Sequence, residues 1–344
     1  MKVDLSLMGA QVDSTLRATQ AEARDYDAVW VAETSHDPFL TLALAAQATS
    51  RVGLGTNIAV AFARSPMTVA VTANDLQQLS AGRLLLGLGS QIRPHITRRF
   101  SMPWSAPAAR MKEYVEAVRA IWQAWAEGGP LAFNGRYYQH TLMTPMFDPG
   151  PHEYGPAPIY VAAVGPQMTK VAGEVGDGLL CHPFTTPRYL EDVTLPALRA
   201  ARGSLDGFEV CGTPIVVTGR DEATMRTRAA QARQQLAFYA STPAYRPVLD
   251  AHGWGALHEQ LLPMSKLGQW TQMGALIDDE MLHTFAVVAE PERMADELAR
   301  RFGGLLTRCA LAPHAADDPG LWAETARRLR HTADSQVIRN RGTV

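Results

Sequence analysis

Eight times along 344 residues, a short apolar run rich in β-branched side chains gives way to a longer stretch with helical spacing. The runs fall near 2–8, 28–34, 52–60, 84–90, 158–164, 178–182, 209–217 and 305–311. Helical stretches occupy 14–24, 38–49, 66–80, 106–127, 165–175, 187–202, 221–240 and 291–302, with a last one near 318–331. A strand that returns through a helix can only join its predecessor in parallel, so consecutive units of this kind build a parallel sheet. Eight are more than an open doubly wound sheet normally holds. The alternation therefore predicts the α/β class, a closed (β/α)8 TIM barrel forming one domain over 1–344.

Two connections are too long for simple turns. Residues 128–157 carry Gly128-Gly129-Pro130, then Phe133-Asn134-Gly135-Arg136-Tyr137-Tyr138, then a scatter of Pro and Gly. The Asn-Gly pair among aromatics predicts a small hairpin followed by an irregular loop. Residues 241–290 hold Tyr245, His252, Trp254, His258 and Trp270. Both insertions are expected on the face where barrel enzymes select substrate.

Composition narrows the partners. Apolar residues make up 47% of the chain, ample for a large core, and 32 basic against 34 acidic side chains leave a formal charge of −2. No global field draws the chain to nucleic acid or to an anionic membrane, so a small molecule is the expected partner. Cys181, Cys211 and Cys309 lie far apart with no CxxC spacing, which predicts neither metal nor disulfide and suits the cytoplasm. The opening Met1–Leu7 reads as a strand rather than a signal peptide, and no apolar run reaches membrane-spanning length.

In such a barrel the carboxyl ends of the strands carry the chemistry. Gly165-Pro166-Gln167-Met168 falls where strand five turns into a helix. Proline at the first helical position leaves outward N–H groups that favour an anion, although the same pair also makes a plain turn. Glu33, His36 and His95 follow strands two and four and are the titratable groups fit for proton exchange. Glu33 can equally be a carboxylate satisfied by neighbouring strands. Ser90-Gln91-Ile92 ends strand four, and Arg93, Arg98 and Arg99 follow it as a basic cluster or a solvated face. His182 ends strand six, and Met8 ends strand one.

Read in order, Val52-Gly53-Leu54-Gly55-Thr56, Ser65-Pro66, Leu79-Ser80-Ala81-Gly82-Arg83-Leu84-Leu85-Leu86-Gly87-Leu88-Gly89-Ser90, Pro158–Met168 and Gly176-Asp177-Gly178 resemble the luciferase-like monooxygenase family. The segments Glu33–Asp37 and Arg99–Trp104 resemble its branch that uses the deazaflavin coenzyme F420. That resemblance implies a coenzyme phosphate at Gly165, Pro166, Gln167 and Met168. It implies a non-prolyl cis peptide at Asn57-Ile58 behind the ring, with Ser90, Gln91 and Ile92 against the coenzyme and Met8 packing beneath it. His182, at its strand end, is grouped with the coenzyme site; it could also line the substrate pocket or simply cap a loop. Glu33, His36 and His95 would serve the proton that accompanies hydride transfer to or from a small organic substrate, and the arginines would meet the coenzyme's acidic tail. Relatives in the family are often homodimers. The chain departs from the sugar-phosphate dehydrogenases at Thr34, where they carry His, and at Gln91-Ile92, where they carry Glu, which disfavours sugar-phosphate oxidation. Two alternatives stay open: a monooxygenase using reduced FMN and oxygen, and a noncatalytic flavin-binding protein.

Overall fold

A computed structural model of the chain describes residues 1–7, 13–314 and 317–341. Among them, eight parallel strands close into a barrel: β1 Lys2–Leu7, β2 Ala28–Val31, β3 Gly53–Thr56, β4 Leu84–Gly89, β5 Ile159–Ala163, β6 Gly178–Cys181, β7 Glu209–Gly212 and β8 Arg308–Leu311. Pairing of β8 with β1 closes the ring, with Lys2 opposite Arg308 and Leu5 opposite Leu311. The surrounding helices are α1 Ser14–Ala23, α2 Pro38–Ala48, α3 Pro66–Leu79, α4 Pro107–Glu127, α5 Pro166–Val175, α6 Leu195–Arg202, α7 Met294–Phe302 and α8 Pro319–Arg341. The predicted TIM barrel is the fold. Met8 lies outside the described residues.

Two apolar runs do not stay in the barrel as far as their pattern extends. The run at 52–60 leaves the ladder after Thr56 and rejoins it at Ala59-Val60. Gly55 faces Leu85 and Ala59 faces Leu88, so this strand spends four residues where β4 spends three. One residue is extra, which is a bulge. Thr56 replaces the lost ladder bonds: its hydroxyl donates to the Gly87 carbonyl at 2.7 Å and accepts the Gly87 N–H at 2.9 Å. A side chain at Gly87 would come within 1.9 Å of the Thr56 carbonyl oxygen, so only glycine fits there.

The run at 209–217 also divides. Its second half, Ile215–Val217, leaves β7 and pairs in parallel with Ala286–Val288. Between them stand the helix Glu222–Ala240 and the short helices of 246–285, which share a hydrophobic core built on Phe184, Leu236, Leu249, Leu261, Leu282 and Phe285. The second insertion thus begins near residue 215, not 241. The long helix at 222–240 belongs to it, and α7 is the helix that leads back to the barrel. Because this unit follows β7 and precedes α7, it rises from the carboxyl ends of the strands.

The first insertion has the opposite attachment. It leaves the end of α4 and enters the start of β5, so it is rooted at the amino ends of the strands, contrary to the expectation for 128–157. His152 Nε2 lies 3.0 Å from Asn74 Oδ1, near the end of α3. Its hairpin, Phe133-Asn134 against Gln139-His140, climbs along α4, where Glu113 accepts the N–H groups of Arg136, Tyr137 and Tyr138.

The barrel interior is filled rather than hollow. Trp30, Tyr160, Leu180, Cys211 and Ala310 pack together from five different strands. Below them Arg308 donates to both carboxylate oxygens of Asp4 at 2.9 Å, and Trp30 Nε1 donates to Asp4 at 2.8 Å. Glu209 takes Lys2 at 2.7 Å and the Tyr160 hydroxyl at 2.6 Å. Burial pushes the Glu209 carboxyl up, but Arg308, Lys2 and Tyr160 outweigh it and hold it below the ordinary carboxylate range. These charges survive burial because each is paired and hydrogen-bonded. They close the floor of the barrel and leave its other end for chemistry.

Candidate active site

At the open end, helices repeatedly begin on proline, and three of these turns differ in what precedes it. Asp37 caps α2 by accepting the Phe39 N–H, and Ser65 caps α3 by accepting the Thr68 N–H. Gly165 precedes α5 and offers no side chain. The N–H groups of Gln167 and Met168 have no acceptor within the helix and no capping side chain. A Cβ built on Gly165 meets no atom within 4 Å. Uncapped N–H groups beside open space fit a phosphate, since the helix end carries partial positive charge. Met168 packs partly into the core, whereas Pro166 and Gln167 are exposed.

On the other side of β4, the peptide between Asn57 and Ile58 is cis, as the resemblance implied. Ile58 lies against Gly89, where a Cβ would stand 2.8 Å from Ile58 Cγ1. The Asn57 side chain is half-buried and has no partner among the described residues. The backbone of this bulge is held from β2: Asn57 N–H donates to the Val31 carbonyl at 2.8 Å and Glu33 N–H to the Ile58 carbonyl at 3.1 Å.

Glu33 is buried. Its Oε2 accepts the Val60 N–H at 2.7 Å and Arg64 Nη1 at 2.6 Å, while Arg64 Nη2 reaches Asp37 at 2.7 Å. Of the two readings left open for this residue, the carboxylate satisfied by neighbouring strands describes the observed contacts. Nothing in the local sequence around Arg64 marks its role, which depends on a partner 31 residues away.

His36 and His95 are exposed, on the loops that follow β2 and β4, and neither side chain has a partner among the described residues. The two loops are joined by Arg99, whose Nη2 donates to the Thr34 carbonyl while its guanidinium lies 4.8 Å from the Phe100 ring centroid. Arg93 and Arg98 are exposed and make no ion pair with a described residue. Gln91 sits between these loops and β4 at φ +57°, a left-handed conformation uncommon for residues other than glycine, and its Oε1 accepts the Ile92 N–H at 3.0 Å. Ser90 turns its hydroxyl onto the Gln91 carbonyl at 3.2 Å.

His182 stands one residue beyond β6, against the second insertion. Its Nδ1 accepts the Phe184 N–H at 3.0 Å, and its ring lies 4.6 Å from Tyr239 and 4.3 Å from Tyr245. Burial among these groups pushes the imidazole down to about 4. No local spacing announces the two tyrosines, which belong to a unit 57 or more residues downstream.

The strand ends therefore offer an uncapped helix start, a buttressed bulge, two exposed imidazoles and one half-buried imidazole around one barrel mouth. The family model described as luciferase-like monooxygenase matches residues 11–308. An uncharacterized protein of Mycobacterium tuberculosis is 52% identical over 312 residues, covering 90% of this chain and 92% of that one. A putative coenzyme F420-dependent oxidoreductase of the same organism is 29% identical over 327 residues, covering 87% and 91%. The fold is shared with the coenzyme F420-dependent tetrahydromethanopterin reductase from Methanopyrus kandleri, at a TM-score of 0.76 and 20% identity over 95% of this chain and 96% of that one. A family model that spans residues 11–308 settles membership: the chain belongs to the luciferase-like monooxygenase family.

Proposed function

We propose that this chain is an oxidoreductase that moves a hydride between coenzyme F420 and a small organic substrate. The observation that carries the reading is the open Gly165 turn with its uncapped N–H groups, on the same end of the barrel as the Asn57-Ile58 bulge and separated from it by β4. Likeness to a putative F420-dependent oxidoreductase along 87% of the chain supports the choice of coenzyme.

When bound, the deazaflavin supplies hydride chemistry and, with carbon in place of the flavin nitrogen beside the oxygen-reacting centre, little reactivity toward oxygen. The residues of the chain do the rest. Gly165, Gln167 and Met168 hold a phosphate by their backbone N–H groups, with Pro166 fixing the turn. Ile58 buttresses one face of the ring, and Asn57, Ser90, Gln91 and Ile92 line its polar edge. His36 and His95, exposed and unpartnered, exchange the accompanying proton with solvent. Glu33 keeps the bulge in place through Val60 and Arg64 and is a positioning residue. Arg93 and Arg98 attract the acidic tail of the coenzyme.

We further infer a homodimer in the cytoplasm. The helix α2 contains no charged residue, yet exposes Leu40 and Leu44 at 62% and 53%, an apolar face that a second copy would cover. Three buried free thiols suit a reducing compartment.

The test is titration of purified protein with F420 and with FMN, followed by absorbance and fluorescence. Affinity for F420 at least tenfold higher, about 1.4 kcal/mol, is expected. Tighter binding of FMN, with oxygen consumed on adding substrate, would give the chain to the monooxygenase reading.

A further inference from the structure

The neutral imidazole at the end of β6 has a defined proton. Phe184 N–H donates to His182 Nδ1, so Nδ1 is an acceptor and the hydrogen of the uncharged ring sits on Nε2. Nε2 itself has no partner among the described residues, and the side chain is only half-buried. A donor held in one tautomer and left unpaired at a barrel mouth points to an acceptor that arrives with a ligand.

The surroundings select that ligand. Tyr239 meets the imidazole edge-on at 81° and Tyr245 lies against it at 33°, while Phe184 behind them stacks on Phe285 at 4.4 Å. Among the described residues no guanidinium or ammonium stands over any of these rings. The ring faces are thus left to apolar and hydroxyl contacts rather than to a stacked guanidinium that would clamp an anion. The cluster is also tied to the coenzyme side. Tyr189, capped into place by Thr186, donates its hydroxyl to the carbonyl of Val164, the residue before Gly165.

Resting on the proposed function, we propose that His182 donates its Nε2–H to the oxygen of a neutral, mainly apolar ketone or alcohol, whose hydrocarbon part lies against Tyr239 and Tyr245. Of the readings open for His182 at its strand end, this assignment selects the substrate pocket and names the atom and the ligand chemistry. Because burial keeps the ring uncharged well below neutral pH, His182 orients and polarises the oxygen and retains its own proton. Proton exchange stays with the exposed imidazoles.

Binding of cyclohexanone, methylenecyclohexane and glucose 6-phosphate to the full-length protein, free and loaded with F420, tests this through intrinsic fluorescence. The ketone and the hydrocarbon match in shape and differ in the oxygen. Wild-type protein is expected to favour cyclohexanone by roughly fivefold, the worth of one hydrogen bond. His182→Phe, which keeps an aromatic ring between the tyrosines, should reduce that preference to within about twofold and leave F420 affinity unaltered. Equal wild-type binding of ketone and hydrocarbon overturns the proposal without need of the variant, as does tighter binding of glucose 6-phosphate. A folded His182→Phe protein that keeps the preference overturns it too. Failure of wild-type protein to bind F420 counts against the coenzyme reading instead, and is read separately.

Discussion

Arg64 bridges the ends of the neighbouring strands β2 and β3 through Glu33, its Nη1 2.6 Å from a carboxylate oxygen that also accepts the Val60 N–H. This pair ties β2 to the far side of the bulge that carries Asn57 and Ile58. Both side chains are largely buried, at 16% and 6% exposure. Removing one partner leaves the other charge stranded, which typically costs 3–5 kcal/mol. Glu33→Ala should therefore lower unfolding free energy by about 3 kcal/mol in a denaturant titration and weaken coenzyme binding along with it. A variant of unchanged stability would return Glu33 to the role of a free acid.

Gly165 offers the cleaner probe of the anion cradle. Its φ of −82° is open to any residue, and no atom stands within 4 Å of where a Cβ would sit. Gly165→Val should keep the circular dichroism spectrum and lose at least tenfold in affinity for F420, because the valine occupies the space proposed for the phosphate. Unchanged affinity in the folded variant would remove the phosphate from this turn.

His182 makes stability depend on pH. Its folded value is pushed down to about 4 from an ordinary 6.5. Between those values the unfolded chain binds a proton that the folded protein refuses, so each step toward acid favours unfolding. The contribution is absent above about pH 7 and reaches about 2–3 kcal/mol near pH 4. Denaturant titrations between pH 7.5 and roughly pH 4.5 should show a flatter profile for His182→Phe than for wild-type protein. Parallel profiles would mean that the imidazole is not held neutral.

The basic segment after β4 divides in two. Arg99 is engaged with Thr34 and Phe100, whereas Arg93 and Arg98 have no described ion-pair partner. Arg98→Ala should weaken F420 several-fold at low salt, with the difference shrinking as ionic strength rises, and leave FMN binding unaltered. Arg99→Ala should act differently, loosening the joined loops at any ionic strength. Equal loss for both coenzymes in Arg98→Ala would take the arginine away from the tail.

Period and punctuation in the sequence determined the barrel, because the features that make a strand, a helix and their turn are local. The alternation gave each of the eight strands its place and put Gly165-Pro166 at a strand-to-helix turn, while the Asn57-Ile58 bulge was legible through the family resemblance. Local pattern failed where a residue's meaning comes from a distant partner. The apolar run at 209–217 reads as one strand, but tertiary pairing with Ala286–Val288 splits it and gathers a second core above the barrel. Asp4 and Arg308 are 304 residues apart and become neighbours only when β8 closes against β1. His182 is any strand-end histidine until Tyr239 and Tyr245 fold over it and Phe184 fixes its tautomer. Burying a polar or charged side chain demands a partner, and closing the barrel and folding the insertion over its mouth decide which partner that is.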